Sequence, residues 1–191
     1  MKLFKFFSLL PALYFLLFLT ACQTTVSDKK MPKAFFDASD FFNAEIIRLD
    51  SLKPSVIKTV TVNDKSETKE LATLNYTEEL APFVQSDINK PAWLDWYRTD
   101  TMRNEDTVSK YLHTHILYTA LKTSLKTKKF LVHLDSLKQP IAIDILNSDD
   151  NAIAGAQHEL HYDKRSGFSI NNKQHLALSK DSDVKVVVIF K

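Results

Sequence analysis

Through the second half of the chain, apolar residues recur at every second position in short runs, and each run stops at a polar cluster. Val184, Val186, Val188 and Phe190 share one parity. So do Ala154, Ala156, His158, Leu160 and Tyr162, with Gln157, Glu159, His161 and Asp163 on the other. Ile141, Ile143 and Ile145 are interleaved with Ala142, Asp144 and Leu146. Successive side chains of a strand point to opposite faces, so a period of two marks strands with one face toward a core. The pattern predicts strands over 111–121, 129–135, 139–146, 152–162, 167–171, 174–179 and 184–190. Asp135-Ser136 and the polar stretches 147–151, 163–167, 171–173 and 180–183 supply the turns. Connections this short make neighbours antiparallel. Earlier in the chain, 56–62 and a second run around 68–74, joined at Asn63-Asp64-Lys65, read as a hairpin.

One segment has a different period. Ala38, Phe42, Ile46, Leu49 and Leu52 are spaced as one face of a helix, predicted over 38–52, with Glu45, Arg48 and Asp50 on the polar side. Asp37 or Ser39 can cap its start, and Lys53-Pro54 ends it because a residue before proline avoids the helical region. A shorter helix over 76–84 follows Asn75, disturbed by Pro82, and a helical turn over 91–97 would put Trp93, Trp96 and Tyr97 on one face. The expected fold is a single α+β domain over 35–191, with an N-terminal amphipathic helix packed on a mainly antiparallel sheet.

The start of the chain belongs to neither pattern. Lys2 and Lys5 precede a greasy run from Phe6 to Leu19 that is too short for a comfortable bilayer span, and Leu19-Thr20-Ala21-Cys22 closes it. This leader resembles that of bacterial lipoproteins, whose lipobox it matches. The resemblance implies that residues 1–21 are a signal peptide cleaved before Cys22 and that Cys22 carries a thioether-linked diacylglycerol, usually with a further acyl chain on the new N-terminus. Two or three chains, at roughly 0.8 kcal/mol per buried CH₂, hold a protein firmly on a membrane. Gln23 rather than an aspartate follows Cys22, which by analogy with enterobacterial sorting points to the outer membrane. Residues 22–34 read as a lipidated tether; 23–34 spans about 20 Å as a coil and about 40 Å fully stretched. The body of the chain is similar in style to small lipoproteins of Bacteroidetes-type bacteria.

Composition changes the picture in two places. Without residues 1–21, Lys+Arg falls from 25 to 23, equal to Asp+Glu, so the domain is formally neutral and gives no charge argument for nucleic acid. Cys22 is the sole cysteine, so an acylated chain has neither disulfide nor thiolate metal site in its domain. The two glycines, Gly155 and Gly167, are too few for phosphate-cradling loops or a dinucleotide fingerprint, and no G-x-S-x-G elbow occurs.

Candidate chemistry is sparse. His113 and His115 lie two apart on a predicted strand, a spacing compatible with metal ligation, with His133 on the next strand; sheet-surface histidines are the plainer reading. His158 and His161 have opposite parity and cannot share an ion simply. Asp149-Asp150 reads as part of a turn, without the spacing of a calcium loop. Trp93, Trp96 and Tyr97 are the candidate ligand or partner surface if exposed, and a plug for the core if not. Lys122, Lys126, Lys128 and Lys129 form a basic run that a short tether could bring to anionic headgroups. With no catalytic motif, no catalytic residue and no cofactor, the expectation is a non-enzymatic binding or accessory subunit at the cell envelope, on the membrane through Cys22 and with an envelope protein as partner. An alternative is a lipid or lipoprotein carrier, since a helix, a meander and an anchor loosely resemble the half-barrel receptors that insert lipoproteins into the outer membrane. A second alternative is a metal-dependent enzyme using His113 and His115.

Overall fold

The computed structural model of the protein describes residues 33–105, 112–150, 154–176 and 181–191. The leader, Cys22 and the tether up to residue 32 lie outside the described residues. The described unit, Lys33–Lys191, is compact in itself.

In chain order it holds helix α1 (Ala38–Leu52), strands β1 (Val56–Val62) and β2 (Lys65–Leu71), and two four-residue helices, α2 (Tyr76–Glu79) and α3 (Ala81–Val84). A 3-10 turn (Pro91–Trp93) then leads into β3 (Tyr97–Glu105), β4 (Leu112–Ala120), β5 (Thr127–Leu134), β6 (Pro140–Asp150), β7 (Ala154–Asp163), β8 (Gly167–Leu176) and β9 (Ser182–Phe190). These strands make one antiparallel sheet in the order β2-β1-β9-β8-β7-β6-β5-β4-β3. From β3 onward every strand pairs with the next in sequence. The early hairpin joins by pairing β1 with β9, Val56 opposite Phe190 and Val60 opposite Val186.

One face of the sheet carries the core. Alternation puts Tyr118, Phe130, Val132, Ile143, Ile145, Leu160, Tyr162, Phe168, Ile170 and Val188 on it, all buried. Helix α1 lays Phe42 over their centre, with its ring 4.9 Å from Phe83 and 5.3 Å from Tyr162. Each such side chain contributes about 1.5–3 kcal/mol by leaving water. Asp37 caps α1 by accepting the Asp40 N–H at 2.9 Å. Lys53, left-handed at φ 46°, closes it by donating its N–H to Leu49 O. At the β7–β8 turn, Gly167 has φ +130°, and a Cβ there would stand 2.0 Å from Val188 O, so no side chain fits.

Several sequence expectations need correction. Asn171-Asn172-Lys173 is not a turn: β8 runs unbroken through it, with Asn172 opposite His158 and Asn171 opposite Glu159. Polar side chains bonded to each other across strands hold that stretch extended, although Asn171 Oδ1 is buried without a partner among the described residues. The His158 Nδ1 to Asn172 Oδ1 distance is 2.6 Å, and Asn171 Nδ2 donates to Glu159 Oε2 at 3.2 Å. Residues 147–150 likewise continue β6. Asn147 is buried there and donates to Ser86 Oγ at 2.8 Å, so a residue read as turn-forming pins the end of α3 to the sheet. The helical turn over 91–97 shrinks to Pro91–Trp93, and Tyr97 opens β3, an edge strand whose Arg98, Thr99, Asp100 and Thr101 conceal any apolar period. In α1, Leu52 is 63% exposed, whereas Glu45, placed by its charge on the polar face, is 4% exposed.

Burial of Glu45 is compensated. Tyr162 donates its hydroxyl hydrogen to Glu45 Oε2 at 2.5 Å, Arg48 Nε donates to the same oxygen at 2.8 Å, and Lys164 Nζ lies 3.2 Å from Oε1. Burial opposes the carboxylate's charge, but the hydrogen bonds from Arg48 and Tyr162 outweigh it, and its pKa falls below the ordinary value. The Tyr162 hydroxyl is driven far above its ordinary range, by burial first and by its bond to Glu45 second.

Candidate functional site on the open face of the sheet

The helices cover one face only. On the other, the same alternation lines up His115 on β4, His133 on β5, Asp144 on β6 and His161 on β7. His115 is the direct cross-strand partner of His133, and Asp144 of His161. The side chains join in a row. His115 Nδ1 is 2.8 Å from His133 Nδ1, His133 Nε2 is 2.6 Å from Asp144 Oδ2, and His161 Nδ1 is 2.6 Å from Asp144 Oδ1. An ionised carboxylate only accepts, so His133 holds a proton on Nε2 and His161 on Nδ1. The contact between His115 and His133 needs one donor and one acceptor, so one of the two facing Nδ1 atoms carries a hydrogen and the other does not. Partial burial works against the Asp144 charge, but hydrogen bonds from His133 and His161 outweigh it and hold the carboxyl well below the carboxylate range. The bond to Asp144 raises His161 above its ordinary value, against the effect of burial.

Next to this row lies an open groove of about 480 Å³. Leu117, Leu131 and Leu146 give it half-buried apolar surface, while Gln157, Glu159, Asn171, Lys129 and Lys185 supply donors, acceptors and both signs of charge. Asp144, His161 and Ser169 also line it. Ser169 is the cross-strand partner of His161, so register sets serine, histidine and aspartate side by side. This is not a hydrolytic triad. Among the described residues no hydrogen bond joins Ser169 to His161. The strands here are central, with their backbone N–H groups committed to ladders, so no pair is free to form an oxyanion hole. The arrangement can offer hydrogen bonds, an apolar floor and an imidazole, His161, whose pKa its carboxylate partner raises above the ordinary value.

The sequence-predicted site residues are dispersed. Cys22 lies outside the described residues. His113 belongs to β4, but its side chain lies outside the described residues. His115 turns to His133. Imidazoles and carboxylate follow one another across strands instead of converging, and among the described residues no group of three or more His, Cys, Asp or Glu side chains could hold a metal ion. Trp93 and Trp96 are half-buried at a corner of the domain, with Lys90 Nζ 4.2 Å from the ring centroid of the first and Lys122 Nζ 3.5 Å from that of the second. An ammonium on each ring occupies a face that a sugar would need for stacking. Tyr97 does not reach that surface: it is 6% exposed and donates its hydroxyl hydrogen to Thr127 O at 2.8 Å, and burial pushes its pKa up to about 12. The groove and the role of Asp144 were missed by sequence reasoning. Alternation marks Asp144 as a polar-face residue, but only cross-strand register places it beside two histidines.

Fold and site together define a one-sided antiparallel sheet domain, filled and helix-covered on one face and open, polar and grooved on the other. Comparison with known proteins finds no matching family model, no similar curated protein and no similar solved structure. Among the described residues no helix is long and apolar enough to cross a membrane.

Proposed function

We propose that this chain is a lipid-anchored protein of the outer membrane, held through acyl chains on Cys22, whose domain is a non-enzymatic binding module for an envelope partner. The observation that carries the binding reading is the one-sided cover of the sheet. A nine-stranded sheet with one face packed and the other bearing a leucine-lined groove presents an adaptable surface, and the histidine–aspartate row fixes its polar side chains in place. The anchor rests on Leu19-Thr20-Ala21-Cys22.

The carrier alternative would put a lipid between helices and sheet, and Phe42, Phe83, Phe130 and Tyr162 fill that space. This favours the binding module. The test is site-specific photo-crosslinking in the intact envelope, with a photoreactive residue at Leu131 or Leu146 in the groove and at Ile47, which is 68% exposed on α1, as control. The expected result is a discrete adduct with an envelope protein from the groove positions alone. Equal labelling from Ile47, or acyl-chain adducts from the groove, would turn the reading away from a protein-binding face. Mass spectrometry of the N-terminal peptide tests the anchor separately, with a diacylglyceryl-modified Cys22 as the expected species.

A further inference from the structure

The tryptophan corner is distinct from the groove, and its chemistry is of another kind. Leu94 and Leu121, 51% and 58% exposed, stand beside the two half-buried indoles. They come from separate segments that are tied together, since the Leu121 N–H donates to Trp96 O at 2.8 Å. Lys90 and Lys122 lie over the indoles. Lys33 is shared between Asp37, 2.7 Å away, and Asp87, 3.6 Å away, and exposed Asp95 is the other acid on the stretch that carries Lys90. Protruding leucines, indoles beneath them and lysines around them are the side chains that settle at the boundary between headgroups and acyl chains.

The described domain also starts at this corner. Lys33 reaches Asp87, and the Phe35 N–H donates to Asn89 Oδ1 at 3.0 Å, both within three residues of Lys90. The Phe35 ring then packs on Tyr97 and Tyr118, at 5.7 and 5.5 Å. Lys33 therefore stands beside the segment that carries the tryptophans, and the ten residues that separate it from Cys22 in the sequence can span at most about 35 Å.

We propose that this corner docks on the bilayer surface, with Leu94 and Leu121 inserted below the headgroups and Lys90 and Lys122 against anionic lipid. The proposal rests on the lipid anchor at Cys22. It gives the domain one preferred orientation instead of free rotation on its tether.

Trp93 and Trp96 are the chain's two tryptophans, so fluorescence excited selectively at tryptophan reports this corner. The acylated protein is incorporated into vesicles of phosphatidylcholine, or of phosphatidylcholine with phosphatidylglycerol, with and without bromine on the acyl chains. The expected result is a blue shift and quenching by brominated lipid, stronger with phosphatidylglycerol. Leu94→Asp with Leu121→Asp loses the quenching while the protein still floats with the vesicles, and Lys90→Glu with Lys122→Glu loses the preference for anionic lipid. Wild-type protein that floats with vesicles but shows no quenching overturns the docking and leaves the anchor standing. Protein that does not float, with an unmodified Cys22, overturns the anchor and the docking with it. The leucines are exposed and the lysines are a second, independent pair, so the test does not depend on one variant folding.

Discussion

The buried carboxylate of Glu45 gives the sharpest test of how α1 is held. Replacing it with alanine removes the acceptor of the Tyr162 hydroxyl hydrogen, and Tyr162 is fully buried, so that hydrogen is left without a partner, at about 1–3 kcal/mol. Loss of a buried methylene adds about 1 kcal/mol. Arg48 and Lys164 retain 31% and 43% side-chain exposure, so both cations return to water and add little. The expected loss for Glu45→Ala is therefore about 2–4 kcal/mol, or roughly 5–12 °C in Tm for a domain this size. Glu45→Gln keeps an acceptor for the hydroxyl and loses only the charge, for about 1 kcal/mol. Adding Tyr162→Phe to Glu45→Ala removes the unpaired hydroxyl and should recover about 1 kcal/mol or more. The assay is thermal unfolding at pH 7 followed by far-ultraviolet circular dichroism. The folded pKa of Glu45 is lowered, so its charge stabilises above the ordinary carboxylate pKa and the benefit is lost as pH falls through the folded value. The gap between wild type and Glu45→Gln should therefore close below about pH 4. Alanine and glutamine variants that melt together, or a second substitution that destabilises further, would refute the reasoning.

On the open face, Asp144→Asn removes the acceptor shared by His133 and His161, and NMR titration should show His161 titrating at lower pH than in the wild type. The Asp144 contribution is lost as pH falls through its lowered pKa, and that of His161 as pH rises through its raised one, so the stability gap to Asp144→Asn in urea should be largest between about pH 4 and 6.5. Gly167→Ala drives a Cβ into Val188 O and should cost about 3 kcal/mol or more, seen as loss of cooperative unfolding or of soluble protein. Tyr97→Phe leaves Thr127 O without its donor and should lower stability by about 1–2 kcal/mol in urea unfolding.

Most of the sheet is legible in the sequence because one face of most strands is buried, β2 being exposed on both. Ala154 to Tyr162 alternates, Val184 to Phe190 is a β-branched run with apolar residues at every second position and more between them, and the strands fall there. Legibility fails where burial is not decided by side-chain type. β3 is an edge strand with few apolar residues, so nothing marks it until Tyr97 is seen to enter the core. Asn171 and Asn172 have the composition of a turn, and cross-strand partners hold them extended. Glu45 shows the converse: a charge on a helix reads as solvent-facing unless the residues that compensate it, here Tyr162 and Lys164 more than a hundred positions away, are known to be adjacent.

The candidate site was less legible than the fold, and the reason is register. Every residue of the histidine–aspartate row stands on a predicted strand, and parity alone assigns His161 and Asp144 to the polar faces of their strands. Parity cannot say that Asp144 lies opposite His161 and diagonal to His133; the first is fixed by the β6–β7 ladder, which closes with the Lys164 N–H donating to Ile141 O, and the second by the 135–139 connection and the register shift at the end of β5. A slip of one residue between β6 and its neighbours would send Asp144 to the helix-covered face, where no donor replaces the two imidazoles, and bring Ile143 and Ile145 into water. The energy that holds the polar row in register therefore comes mostly from the opposite face of the same strands. Asp144→Asn should consequently change the titration of the row while leaving the sheet intact, whereas Ile145→Asp should destroy both, and the two variants compared by NMR distinguish a site carried by the fold from one that helps to hold it together.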